Sequence, residues 1–79
     1  MNQTTIRTIS QTLKHDARAL GIPSGAAKIF IQRTVEEATK TLSDKKIITE
    51  DDITRTINKE LKKYNKDLAY VYKNRGTII

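Results

Sequence analysis

The chain has 79 residues, no cysteine, one histidine and 37% hydrophobic residues. These figures bound it to one small domain, with neither disulfides nor a thiolate or histidine-cluster zinc site to reinforce its core. Fifteen Lys and Arg against nine Asp and Glu give a net charge of +6 and a pI near 9.8, which favours polyanionic partners over acidic ones. The N-terminus lacks the cationic and apolar segments of a secretory signal, and no apolar run approaches the ~20 residues of a membrane span, so a cytoplasmic protein without a membrane partner is expected. With this modest apolar content the chain either packs its sparse Ile, Leu, Val and Ala efficiently or gains buried area from a partner subunit, so a homo-oligomer or a protein partner is expected.

From Thr5 to Leu20 the apolar residues Ile6, Ile9, Leu13, Ala17 and Leu20 recur at three and four, which predicts a helix with one buried face. Gly21 supplies a left-handed cap, and Pro23 stops the helix from resuming. Ser24 is expected to cap a second helix running to about Asp44, with Ala27, Phe30, Ile31, Val35, Ala38 and Leu42 inward. Ile47 and Ile48 are β-branched and extended, and are expected to plug the core, the alternative being to pair with the edge of another chain. Thr49 followed by Glu50, Asp51 and Asp52 marks the start of a third helix, with Asp52 in the capping-box position and Ile53, Ile57, Leu61 and Tyr64 on its inner face. Asn65 caps a fourth helix whose inner residues are Leu68, Val71 and Tyr72, with Gly76 as its stop. The predicted fold is all-α, a compact antiparallel four-helix bundle with helices at about 5–20, 24–44, 50–63 and 66–75.

The parts of an enzyme are missing from this pattern. His15 lies about 200° around the first helix from Leu13 and faces solvent, and Ser10, Ser24 and Ser43 have no histidine placed by sequence to activate them. Capping and the helix dipole account for Glu50, Asp51 and Asp52. Binding chemistry is better represented. The segment from Gly21 to Lys28 is not a Walker motif, yet the free amides after Ser24, the close approach allowed by Gly25 and the charge of Lys28 suit a phosphate at a helix N-terminus. Arg55, Lys59, Lys62 and Lys66 recur at four, three and four along the outer side of the third helix, with Lys63 at the margin, as a stripe that tracks phosphates would. A solvated face on a lysine-rich protein accounts for the same residues. Among the tyrosines, Tyr64 and Tyr72 fall on inner faces and only Tyr70 is free to stack, too few for an RNA-style aromatic platform.

Thr49, Glu50, Ile53, Ile57 and Leu61, followed by Leu68, Ala69, Tyr72 and Arg75, resemble the C-terminal helices of the ATP-cone domain, a family that caps ribonucleotide reductases and forms part of their zinc-ribbon transcriptional repressor. Ala27, Ile31 and Val35 are similar to the preceding helix, so the resemblance covers roughly residues 24–75. It implies a helical scaffold with a regulatory role. The family's nucleotide-contacting hairpin has no counterpart in the first twenty residues, and Asn74 stands where a tyrosine usually precedes the arginine, so no nucleotide-contacting residue is carried over. A first helix, a longer central helix, an extended linker ending in Ile48 and Thr49, and a helix opened by Thr49, Glu50, Asp51, Asp52 and Ile53 also resemble the histone fold, which implies a dimeric DNA-binding protein, although the second helix is some seven residues short for it and the fourth helix is an addition. The reading that follows is a non-enzymatic regulatory module for a phosphate-bearing partner, nucleic acid or nucleotide, with no cofactor. The alternatives are the histone-like DNA binder and a pure protein-protein interaction module.

Overall fold

The first helix starts two residues ahead of the expected boundary because Asn2 caps it, its Oδ1 accepting from the Thr5 amide at 2.8 Å. A computed structural model describes residues 2–75, and in it α1 spans Gln3–Ala19, α2 Ser24–Leu42, α3 Glu50–Leu61 and α4 Lys66–Arg75. The fold is the expected all-α four-helix bundle, with no strand among the described residues. The expected stop at Gly76 and the tail from Thr77 to Ile79 lie outside the described residues.

Local chemistry explains each boundary. After α1, Gly21 adopts a φ of 76°. Its amide donates to the Arg18 carbonyl at 3.0 Å, and the Ile22 amide donates to that of Ala17 at 2.9 Å, the paired bonds of a Schellman turn. Ser24 does not cap α2. Pro23 occupies the N-cap position without a side-chain hydrogen bond, its fixed φ of −56° already suits the helix, and Ser24 becomes the first helical residue. Helix α2 ends at Leu42 rather than Asp44, because the Ser43 hydroxyl and amide both turn back onto the Lys40 carbonyl, at 2.7 and 3.3 Å. Thr49 and Asp52 form the expected reciprocal capping box, with both bonds at 3.1 Å. Asn65 caps α4 by accepting from the Leu68 amide at 2.9 Å.

The core takes Ile9, Leu13 and Ala17 from α1, Ala27, Ile31, Val35, Ala38 and Leu42 from α2, Ile57 and Leu61 from α3, and Leu68 and Ala69 from α4. Alanines on all helices but α3 let the backbones approach closely. The packing is a ring: α2 lies against α1 and α3, and α4 against α3 and α1, with no close backbone approach across either diagonal. Ile6, Ile22, Phe30, Ile53 and Tyr72 pack half-buried at its margins.

Several inward expectations fail at element ends. Ile47 does not plug the core; it is 80% exposed. The register that lets Lys45 reach Asp52 at 3.0 Å and Thr49 cap α3 turns Ile47 outward, and only Ile48 is half-buried. Leu20 and Tyr64 are both exposed, because each lies just beyond the last helical turn and so out of the register that its spacing implied. Tyr64 stacks instead on Phe30 of α2, with ring centroids 6.1 Å apart and planes inclined by 20°.

Candidate polyanion-binding surface

The corner between α3 and α4 is built by backbone economy. The Asn65 amide closes on the Leu61 carbonyl at 2.8 Å, Lys63 and Tyr64 make the turn, and the buried Asn58 donates from Nδ2 to the Ala69 carbonyl at 2.6 Å. That last bond fixes α4 across α3. As a result Lys62, Lys66 and Lys73 line one groove of about 370 Å³, together with Asn58 and Tyr70. Among the described residues no carboxylate lines it. Among the described residues no ion pair engages Lys59, Lys62, Lys66 or Lys73.

The five cations predicted from the sequence divide. Arg55 is exposed but held by Asp51 at 2.6 Å, with Asp52 at 4.0 Å, so a polyanion must compete with two carboxylates for it. Lys63 lies 3.0 Å from Glu60, whose hydrogen bond and charge raise the pKa of its ammonium. Lys59 is exposed on α3 and lies outside the groove. Lys62 belongs to the groove, and so does Lys66, although Lys66 opens α4 rather than extending the α3 stripe. Lys73 was missed, and its signal was present: Lys66, Tyr70 and Lys73 stand at i, i+4 and i+7, a spacing that is lost when Lys66 is counted on α3.

The second predicted site, Ser24, Gly25 and Lys28, borders a cavity of about 530 Å³ between the end of α1 and the start of α2. With no side chain capping α2, the amides of Ser24, Gly25 and Ala26 lack helical acceptors, the first helical hydrogen bond running from the Ala27 amide to the Pro23 carbonyl at 2.9 Å. Lys14 and Arg18 join Lys28 around the cavity, over a floor that includes Ala17, Ile22 and Ala27. The sequence reading missed Lys14 and Arg18 because they come from the opposite arm of the hairpin. His15 faces solvent, as its angle on the helix predicted. No group of acidic, histidine or cysteine side chains suited to a metal ion occurs among the described residues, and no helix there is long and apolar enough to cross a membrane.

The chain matches no family model, no curated protein and no solved structure.

Proposed function

We propose that this chain is a non-enzymatic binding module that takes up a phosphate-bearing polymer, a nucleic acid, on the basic α3–α4 groove, with a regulatory use. The observation that carries this reading is the gathering of Lys62, Lys66 and Lys73 around one groove with no carboxylate in its lining among the described residues. Exposed ammonium groups without partners lose little solvation when they meet phosphates, and each contact releases counterions. With three phosphates neutralised, affinity should fall about 20- to 40-fold between roughly 50 and 200 mM salt. Titrating the purified protein against duplex DNA, single-stranded DNA and ATP at those two salt levels tests it. Replacing Lys62 and Lys66 together with Glu should abolish polymer binding while leaving the helical circular dichroism intact; binding that persists in the double variant rejects the groove.

A second reading rests on the α1–α2 cavity, where Lys14, Arg18 and Lys28 stand around the start of α2 at Ser24 and Gly25, which no side chain caps. This geometry suits a small phosphorylated ligand. The ATP arm of the same titration separates the two, since a specific pocket gives a saturable thermal shift that survives the higher salt. A flat response to ATP counts against the pocket.

A further inference from the structure

The aromatic residues of the chain do not share one job. Phe30 and Tyr64 stack on each other, and Tyr72 packs half-buried against the core, where burial, partly opposed by Thr54, raises its phenol pKa. Tyr70 is different. It is 70% exposed, has no ring contact among the described residues, and stands in the groove lined by Lys62, Lys66 and Lys73. On α4 the directions of Lys73, Lys66 and Tyr70 fall within about 60° of arc. Asp67 is the acid of that helix and lies about 100° around from Lys66, on the far flank from Lys73.

We infer that the partner of this groove is an unpaired nucleic-acid strand, with one base stacked on the Tyr70 ring while Lys62, Lys66 and Lys73 hold the flanking phosphates; this rests on the polyanion reading above. Each alternative polyanion leaves part of the groove unused. A duplex turns its base faces inward and presents only phosphates and groove edges, so the ring gains nothing from it. An anionic lipid surface satisfies the lysines but offers no π face, and an acidic peptide offers one only where it carries an aromatic residue. Among polymeric polyanions an unpaired strand presents a run of phosphates and exposed flat rings together, enough to meet three lysines and one tyrosine, and stacking of this kind is tolerant of sequence because every base has a face to offer. The inference predicts little base preference.

The test uses the whole chain and four probes: a single-stranded DNA, an RNA of the same sequence, the corresponding duplex, and inorganic polyphosphate. The single strands should bind more tightly than the duplex. Tyr70→Ala should weaken single-strand binding by about 5- to 150-fold, the range expected for losing one stacked base, and leave polyphosphate binding unchanged. Tyr70→Trp should retain or strengthen it, and the tyrosine emission of the native chain should be quenched by the strands alone. The exposure of Tyr70 makes each variant foldable. Equal effects of Tyr70→Ala on strand and polyphosphate, or no effect on either, overturn the stacking role while the lysine reading stands. Duplex binding as tight as single-strand binding overturns the choice of partner. If none of the four probes binds, the polyanion reading fails and this inference fails with it.

Discussion

Thr34 is fully buried in the middle of α2, and its hydroxyl has no hydrogen-bond partner among the described residues. A buried hydroxyl left unpaired costs about 1–3 kcal/mol, whereas a methyl in the same volume carries no such penalty. Thr34→Val should therefore stabilise the protein by ~1 kcal/mol, read as a rise in Tm of about 4–8 °C. A fall in Tm would show that the hydroxyl has a partner after all. Other buried polar groups are better served: Asn58 reaches Ala69, and Glu60 reaches Lys63. None of the three was visible as buried from sequence, because polar residues within an apolar stripe interrupt the very periodicity by which a core is read.

At the scale of the element, the capping box of α3 carries the clearest pH dependence. The Asp52 carboxylate accepts from the Thr49 amide and faces Lys45, and these contacts lower its pKa from 3.8 to about 2, the backbone hydrogen bond contributing most. Because the folded value lies below the unfolded one, its stabilisation is complete above the ordinary carboxylate range and is lost as the pH falls toward about 2. Asp52→Asn should thus lower the Tm at neutral pH, and the gap between variant and native protein should close on acidification. A gap that stays constant down to pH 2 would contradict the assignment. This cap was legible beforehand, as were Asn65 and Gly21, because each is decided within four residues of sequence. Ser24, Ile47 and Tyr64 were not, since their surroundings depend on where the preceding turn releases the chain. The same dependence hid Lys73 behind a register error at Lys66, and it kept Lys14 and Arg18 apart from Lys28 until the hairpin closed.

For the molecule as a whole, 79 residues should yield roughly 4–12 kcal/mol of stability, and the backbones of the four helices approach one another closely only around the ring. Helix α4 contributes two fully buried residues, Leu68 and Ala69, and joins α3 to α1. Leu68→Ala should cost ~2–5 kcal/mol, a large share of that total, and lower the urea midpoint without changing the m-value. A loss below about 1 kcal/mol would mean that the ring tolerates an open seam.

One short helix has two employments. The ten residues of α4 close the globule on one side and hold Lys66, Tyr70 and Lys73 outward on the other. On the reading proposed above, fraying there would scatter Lys66, Tyr70 and Lys73 at the moment it uncovers Leu68 and Ala69, and a ligand in the groove would resist fraying for the same reason. Whatever loosens this clasp therefore acts on groove and interior together.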